Sequence, residues 1–238
     1  MRTNSPRAPI AQPMIRGVIF DLDGVVADSH PLHEEAWRVL LSEKGLDLPV
    51  DLSFIYSGLS RREILKHYLG PLSDAECEKL GRRKDELFSS LMHRIRVQPG
   101  LLRVLDQLRA AGIPFALATS ASRARAYEIL GKVGITDRFM AIVTNHDVSD
   151  PKPAPEVFLE AASRLGVSPQ VAVVIEDSVA GVQAARAADM ICIGYAPGSQ
   201  VQALRDAGAS DVISDFPDDI VTYLQHVTDS VLIPQKRD

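Results

Sequence analysis

The stretch Ile15-Arg16-Gly17-Val18-Ile19-Phe20-Asp21-Leu22-Asp23-Gly24 joins a short β-rich run to an acidic turn. Strand-forming residues that end at aspartates and a glycine are typical of a buried strand followed by a tight turn. In an open α/β sheet, ligands bind beyond the carboxyl ends of the strands. The stretch therefore predicts the first strand of such a sheet, with Asp21 and Asp23 at the edge where a site would form.

Beyond residue 98 the sequence alternates between strand-sized apolar runs and helical segments. Strands are predicted at 113–118, 140–143, 171–175, 190–194 and near 212, and helices at 100–111, 122–133, 155–165, 179–188, 201–206 and 220–227. Strands that alternate with helices in this way form βαβ units on a parallel sheet. The apolar strands agree with this, because a parallel sheet is covered on both faces. The predicted class is α/β, with a Rossmann-like core.

Between residues 30 and 97 only helical signals occur. Helices are predicted at 31–44, with Ser29 or Asp28 as N-cap, at 61–69, and from the capping box Ser73-Asp74-Ala75-Glu76 to about residue 95. An all-α insertion is therefore expected. The predicted division is a disordered tail at 1–13, a core domain at 14–29 and 98–238, and an inserted helical domain at 30–97.

The composition restricts the classes of partner. Of 238 residues, 46% are apolar and 24% charged, and the net charge of −5 offers no basic field for nucleic acid or an anionic membrane. No apolar run approaches the roughly 20 residues that a membrane helix needs. Two cysteines are too few for a disulfide scaffold or a cysteine-rich zinc site. We expect a cytoplasmic protein that binds neither nucleic acid nor membrane, as a monomer or, alternatively, a weak dimer.

Polar residues follow several of the predicted core strands. Thr119 and Ser120 come after the strand at 113–118, Lys152 lies beyond the strand at 140–143, and Glu176 and Asp177 follow the strand at 171–175. Because the carboxyl ends of parallel strands share one edge, these side chains should face Asp21 and Asp23.

This set of side chains suits phosphoryl transfer. Carboxylates together with a phosphate are the ligands that Mg²⁺ prefers. Asp21 can attack phosphorus, while Asp23 can protonate the leaving oxygen and later take a proton from water or an alcohol. Lys152 and the Thr119 hydroxyl can hold the charged oxygens.

The same residues resemble the four motifs of the haloacid dehalogenase (HAD) phosphotransferase superfamily. Asp21-Leu22-Asp23-Gly24-Val25-Val26 is similar to motif I, Thr119 to motif II, Lys152 to motif III and Glu176-Asp177 to motif IV. The resemblance implies that the helical domain at 30–97 is an inserted all-α cap domain of the four-helix type. It also implies Mg²⁺ held by Asp21, the backbone carbonyl of Asp23 and Asp177, with Glu176 in support. An aspartate two residues after the nucleophile is absent from the dehalogenase branch.

The cap resembles the β-phosphoglucomutase-like branch of this superfamily. His33 lies on the first cap helix, Gly58-Leu59-Ser60-Arg61 precedes the second, and Lys84 lies in phase with the apolar stripe of the long helix. The resemblance implies that Arg61 grips a substrate phosphate or acid group, that His33 positions Asp23, and that Lys84 contacts polar substrate groups. The residues predicted to bind substrate are His33, Gly58, Arg61, Lys84, Ser120 and Arg123.

Three functions stay open on these residues. The leading prediction is a Mg²⁺-dependent phosphatase of a small phosphorylated metabolite, a sugar phosphate being favoured, acting through an aspartyl phosphate. The alternative is a phosphomutase, whose branch has a serine and an asparagine where this chain has Ala121 and Arg123. The third is a non-catalytic regulator that binds a phosphometabolite, although such a protein would not need the full set of motifs.

Structural roles are alternatives for each of these residues. Glu176 and Asp177 could cap the following helix, and Ser120 or Ser122 should cap the helix at 122–133. Lys84 could extend to solvent and Arg61 could pair with a neighbouring carboxylate. Two further arginines, Arg123 and Arg125, should point outward, Arg123 being the better placed to reach a cleft.

Overall fold

The computed structural model describes residues 15–46, 52–56, 61–198 and 200–232. The predicted disordered tail at 1–13 and the predicted substrate-binding residue Gly58 lie outside these ranges. A parallel sheet with the strand order β3-β2-β1-β4-β5-β6 forms the centre of the described structure. The strands are β1 (Gly17–Phe20), β2 (Phe115–Ala118), β3 (Ala141–Val143), β4 (Ala172–Glu176), β5 (Ile191–Tyr195) and β6 (Asp211–Ile213). This confirms the predicted α/β, Rossmann-like class.

The helices fall into a group that covers the sheet and a group inserted after β1. The α-helices are α1 (His30–Glu43), α2 (Arg61–Leu69), α3 (Asp74–Leu91), α4 (Leu101–Ala110), α5 (Arg123–Val133), α6 (Glu156–Leu165), α7 (Val179–Ala187), α8 (Val201–Asp206) and α9 (Ile220–Leu232). Helices α4, α5 and α9 pack on one face of the sheet and α6, α7 and α8 on the other. Alternate residues of β1 enter the two layers, Val18 and Phe20 on one side and Ile19 on the other.

The order of the strands shows where in the sheet a ligand site would lie. The chain runs from β1 through β2 to β3 on one side, and it then returns to β4 on the other side of β1. In doubly wound sheets, the crevice at such a reversal is where ligands bind. Asp21 directly follows β1 and Glu176 is the last residue of β4, so the two carboxylates flank this crevice.

Helices α1, α2 and α3 have an apolar core of their own, separate from the layers on the sheet. Trp37, Leu40, Leu65, Cys77 and Leu80 belong to it. The described part of this insertion contains three α-helices and two short 3-10 helices, which agrees with the predicted inserted all-α cap.

Two antiparallel segments connect the cap to the core. Ala27 on the outgoing segment forms a β-bridge with Val97 on the returning one. The Gln98 side-chain amide then donates to the Gly24 carbonyl over 2.7 Å. These bonds fix the return of the chain against the acidic turn, so the cap is held next to the candidate site.

Several element ends differ from the sequence expectation. Helix α3 ends at Leu91 and continues as a 3-10 turn (Met92–Arg94), since the Ile95 backbone is no longer helical. Ser29 precedes α1 without capping it, because its hydroxyl is bonded elsewhere. Among the described helices, none is both long and apolar enough to span a bilayer.

Candidate active site

The turn after β1 is built around a glycine with left-handed backbone. Gly24 has φ +78°, and a Cβ atom there would overlap the carboxylate of Asp177 and the ring of His30. The N–H groups of Val26 and Ala27 both donate to the Leu22 carbonyl, which closes the turn. A glycine is therefore required here by both its backbone and its neighbours.

Lys152 is the cation at the centre of the site. Its Nζ donates to Asp21 Oδ1 over 2.5 Å and to Glu176 Oε1 over 2.8 Å, with the side chain almost fully buried. Burial opposes ionisation of the amine, yet the charge of Asp21 and then that of Glu176 raise the pKa of Lys152 above its ordinary value. The ammonium therefore stays charged and bridges the ends of β1 and β4.

The carboxylates of Asp21, Glu176 and Asp177 form a compact acidic cluster. One oxygen from each lies within 4.8 Å of the others. Burial raises the pKa of Asp21 well above 3.8, and the charges of Glu176 and Asp177 add to this rise, although Lys152 opposes it. Burial also raises the pKa of Asp177. The three carboxylates repel one another, and their oxygens are the hard ligands that Mg²⁺ prefers. A bound Mg²⁺ would neutralise this repulsion, so the cluster fits the ion.

Glu176 and Asp177 do not cap the helix that follows them. Ser178 is the N-cap of α7 and accepts from the Gly181 N–H over 3.0 Å. Glu176 Oε2 instead accepts from the Ser178 N–H over 2.6 Å, which orients the carboxylate whose other oxygen binds Lys152. The helix-capping alternative is therefore wrong for this pair.

His30 is a site residue that the sequence analysis missed. Its Nε2 lies 2.8 Å from Asp177 Oδ2. Burial works against protonation of the ring, but the hydrogen bond to Asp177 raises the pKa of His30 to about 9. The only sequence signal was a histidine at the start of the first cap helix, next to a proline and close to the acidic turn. The imidazolium balances part of the acidic cluster.

Asp23 points away from the other carboxylates and toward the cap. Its Oδ1 accepts from the Ser29 hydroxyl over 2.6 Å and lies 3.3 Å from His33 Nε2. Although burial opposes ionisation, the hydrogen bonds from His33 and Ser29 lower the pKa of Asp23 well below its ordinary value. Asp23 is therefore an ionised carboxylate in this arrangement, and its side chain is not part of the acidic cluster.

Lys84 and His33 continue this chain of contacts into the cap. Lys84 Nζ lies 2.5 Å from His33 Nδ1, and only 5% of Lys84 is exposed. The extension of Lys84 to solvent is therefore ruled out. Burial and the charge of Arg125 lower the pKa of Lys84 to about 8, and burial lowers the pKa of His33. A neutral His33 ring with its proton on Nε2 accepts from Lys84 and donates to Asp23.

Thr119 is buried at the end of β2, and Ser120 next to it is exposed at the mouth of the site. The Thr119 hydroxyl accepts from the Ala121 N–H over 3.0 Å, which turns the chain toward α5. Ser122, not Ser120, is the N-cap of α5 and accepts from the Arg125 N–H. Both Thr119 and Ser120 line the cavity that holds Asp21 and Lys152.

The expectation that Arg123 is better placed than Arg125 to reach the cleft is wrong. The Arg123 side chain is 59% exposed and pairs with Asp147 over 2.8 Å, away from the cleft. Arg125 is 19% exposed and crosses to the cap, where its Nη2 donates to Asp85 Oδ1 over 2.9 Å. Positions two apart on a helix point in nearly opposite directions, so only one of the two can face the cap.

Two adjoining cavities make up the cleft. The first, of about 200 Å³, contains Asp21, Lys152, Thr119 and the acidic cluster. The second, of about 400 Å³, lies between core and cap and is lined by His33, Lys84, Asp85, Arg61 and Arg125 among others. Both are lined by Asp23, Ser120 and Ala121, so the two cavities are contiguous.

A family model described as haloacid dehalogenase-like hydrolase matches residues 15–189, which include Asp21, Thr119, Lys152 and Asp177. The chain belongs to the haloacid dehalogenase-like hydrolases. The family includes a β-phosphoglucomutase of Bacillus subtilis that is 34% identical over 193 residues, which are 77% of this chain and 84% of that protein. A fructose-1-phosphate phosphatase of Escherichia coli is 34% identical over 177 residues, or 73% of this chain and 93% of that protein.

The solved structures agree with this membership of the haloacid dehalogenase-like family. A crystal structure of β-phosphoglucomutase from Clostridium difficile superposes with a TM-score of 0.76 at 29% identity, covering 92% of this chain and all of that one. The predicted superfamily, its β-phosphoglucomutase-like branch and the enzyme class are therefore confirmed. The chain is an enzyme of this hydrolase family, and the relatives that it resembles include a β-phosphoglucomutase and a fructose-1-phosphate phosphatase.

Proposed function

We propose that the protein is a Mg²⁺-dependent phosphatase that hydrolyses a phosphorylated sugar through an aspartyl phosphate on Asp21. The observation that carries this proposal is the buried Lys152 bridge between Asp21 and Glu176, inside a cavity that Asp23 and Asp177 also line. A carboxylate held beside a fixed ammonium can meet a phosphate dianion without prohibitive repulsion.

In the first step, an oxygen of Asp21 attacks phosphorus opposite the sugar oxygen. The bond from phosphorus to the sugar oxygen breaks, and that oxygen takes a proton from Asp23. Lys152 and the Thr119 hydroxyl hold the oxygens of the transferring group. Since His33 and Ser29 lower the pKa of Asp23, the proton is available only when the His33 contact is released, for example by movement of the cap.

In the second step, water attacks the phosphorus of the aspartyl phosphate. Asp23, now ionised and bonded to His33 and Ser29 as described above, accepts the water proton. The bond from phosphorus to the Asp21 oxygen then breaks, which releases inorganic phosphate and restores the carboxylate. The lowered pKa of Asp23 suits this step, because a base must be ionised to act.

Asp21, Asp177 and the backbone carbonyl of Asp23 would hold Mg²⁺, with Glu176 supporting the site through Lys152. When bound, the ion supplies positive charge against the phosphate oxygens and the carboxylate nucleophile. Its role agrees with the raised pKa values of Asp21 and Asp177, because charge neutralisation would keep both ionised at neutral pH.

Water is the proposed acceptor, and a second sugar hydroxyl is the alternative. Relatives of both kinds are similar to this chain. The two residues that replace the mutase pattern favour water: Ala121 has no hydroxyl, and Arg123 points away from the cleft toward Asp147. The test is a phosphate-release screen over sugar phosphates with Mg²⁺. β-Glucose 1-phosphate with a bisphosphate activator is run in parallel, and formation of glucose 6-phosphate would support the mutase instead.

The nucleophile is tested by Asp21→Asn. We expect turnover to fall to background while the circular dichroism spectrum stays native. In the wild type, rapid acid quenching should trap one added phosphoryl group on the peptide that contains Asp21, as measured by mass spectrometry. Turnover by Asp21→Asn, or a phosphoryl group on another peptide, would refute the assignment.

A further inference from the structure

The Lys152 ammonium contacts an aromatic ring as well as the two carboxylates. Its Nζ lies over the face of the Phe158 ring, 4.6 Å from the centroid. The bonds to Asp21 and Glu176 use two of its three N–H groups. Among the described residues, the third N–H group has only the Ala118 carbonyl, at a long 3.4 Å. Because the face of an aromatic ring is negative, Phe158 supplies attraction that this third contact lacks.

The first turn of α6 holds both this ring and the loop that carries Lys152. Phe158 is the third residue of the helix and is fully buried in the layer between the helix and the sheet. Glu156, which begins the helix, accepts from the N–H groups of Ser149 and Asp150 over 2.8 Å and 3.2 Å. The position of Lys152 is therefore fixed by α6 at the loop backbone and at the ammonium, although the residue follows β3 in the chain.

We propose that Phe158 is a positioning residue whose ring keeps the Lys152 ammonium in place while Asp21 carries the phosphoryl group. The inference rests on the proposed function, because it concerns the aspartyl phosphate. In the resting site two carboxylates attract the ammonium, but Asp21 loses its charge when its oxygen bonds to phosphorus. Glu176 then remains as the carboxylate bound to Lys152, and the ammonium could shift toward it. The ring restrains this shift, because its attraction for the cation does not depend on the state of Asp21.

An aromatic ring suits this role better than a third carboxylate would. A further negative charge beside Lys152 would repel the phosphate dianion of the substrate and compete with it for the ammonium. The ring adds attraction without a strong hydrogen-bond acceptor, so the third N–H group can exchange the long contact with Ala118 for a phosphate oxygen. Since Phe158 is fully buried, it also excludes water from this side of the cation, and attraction between a cation and a ring is stronger in such a desolvated site.

The test replaces Phe158 by phenylalanines that carry one, two or three fluorine atoms on the ring, introduced at this position alone. Fluorine withdraws electrons from the ring face and weakens its attraction for a cation, while the shape of the side chain is nearly kept. With p-nitrophenyl phosphate and Mg²⁺, we expect kcat to fall stepwise, by about threefold for one fluorine and about tenfold or more for three. KM should stay within about twofold, because the ring matters most once Asp21 has lost its charge.

Phe115 of β2 is the matched control. Its side chain is buried on the other face of the sheet, where its ring makes edge contacts with the rings of Phe20 and Phe139. The same fluorinated residues at Phe115 should leave kcat within about twofold, because they alter packing but not the attraction for Lys152. Urea unfolding of both series measures the change in packing. A fall in kcat that followed the loss of stability, and not the number of fluorines, would show a merely structural role for Phe158.

Several outcomes would overturn the inference. They are a constant kcat across the Phe158 series, an equal fall in the Phe115 series, or a rise in KM without a fall in kcat. If the wild type hydrolyses no phosphoric ester at all, the proposed function fails instead. Calorimetric binding of orthovanadate with Mg²⁺ then decides the inference separately, since vanadate can adopt the five-coordinate geometry of a transferring phosphoryl group. Its dissociation constant should rise with each fluorine at Phe158 and stay constant at Phe115, and a constant value in both series would contradict the role of the ring.

Discussion

At the scale of single residues, each carboxylate of the site has a different hydrogen-bond partner. Asp21 has Lys152, Asp177 has His30, and Asp23 has the neutral His33 with Lys84 behind it. The pKa values follow these surroundings: they rise at Asp21 and Asp177, where like charges add to burial, and fall at Asp23, where donors converge. Neighbouring carboxylates in opposite states are typical of acid–base sites.

The His30 contact predicts how the chain binds Mg²⁺. With a pKa of about 9, His30 is protonated at pH 7 and competes with a cation for Asp177. His30→Gln should therefore lower the dissociation constant for Mg²⁺ about tenfold, which is the same free energy as a shift of one pKa unit. Isothermal titration calorimetry without substrate measures this constant. His67→Gln, on α2 and away from the acidic cluster, is the control. Weaker binding by His30→Gln would mean that His30 orients Asp177 rather than competes for it.

Lys84 predicts the alkaline limb of the pH profile. Its ammonium is charged below pH 8 and loses its proton as the pH rises through about 8, so attraction for an anionic substrate is lost above that value. We expect kcat/KM to fall about tenfold per pH unit there, because this quantity reports the free enzyme. Lys84→Met should have a lower kcat/KM with no such fall, and the exposed Lys79→Met on the same helix should behave as wild type. An alkaline limb that persists in Lys84→Met would assign it to another group.

At the scale of elements, the turn from β4 into α7 sets the position of Glu176. Gly181 lies in the first turn of α7, and a Cβ atom there would overlap the Glu176 carboxylate. Gly181→Ala should therefore displace Glu176 from Lys152, with about 1–3 kcal/mol lost from the free energy of unfolding and a large loss of activity. Urea unfolding and phosphate release measure the two effects.

The matched control for this prediction is Gly131→Ala. Gly131 lies within α5, and nothing stands within 4 Å of the place its Cβ would take. The change should raise the free energy of unfolding by up to about 1 kcal/mol through helix propensity, with activity unchanged. Equal effects of the two substitutions would contradict the packing argument at Gly181.

The elements also show how far the sequence could predict this structure. The strands, their order along the chain and the polar residues at their ends have local signals, so Asp21, Thr119, Lys152 and Asp177 were all expected at one edge. For the cap, the prediction that Lys84 faces the cleft depended on its position relative to the apolar stripe of α3. Either Ser120 or Ser122 could cap α5, and no local signal tells which of Arg123 and Arg125 faces the cap.

Contacts between distant segments had no signal that could be read locally. His30 meets Asp177, and Arg125 meets Asp85 across the gap between core and cap. Each of these pairs depends on how the cap sits on the sheet, which is fixed by the antiparallel segments at Ala27 and Val97. Such pairs form only in the tertiary structure. The sequence shows that histidine, arginine and aspartate are present, but it does not show which of them meet.

At the scale of the whole molecule, the acidic cluster should cost folding stability that the bound cation would restore. The folded-state pKa of Asp21 lies above the ordinary value of 3.8, so ionised Asp21 disfavours folding as the pH rises through the interval between the two values. Asp147 is the opposite case, because bonds from Thr144 and Arg164 lower its pKa despite burial. The stability it contributes is present above pH 3.8 and is lost as the pH falls through its lowered pKa.

The two aspartates therefore predict opposite changes in melting temperature. In metal-free buffer at pH 7, Asp21→Asn should melt roughly 2–4 °C above the wild type, the shift that about 1 kcal/mol gives in a chain of this size. Asp147→Asn should melt below the wild type by a similar amount. The gain for Asp21→Asn should vanish below about pH 3, under the ordinary pKa of 3.8, where the wild-type carboxyl is protonated in both states. Mg²⁺ should raise the melting temperature of the wild type more than that of Asp21→Asn, and an equal rise in both would remove Asp21 from the proposed metal ligands.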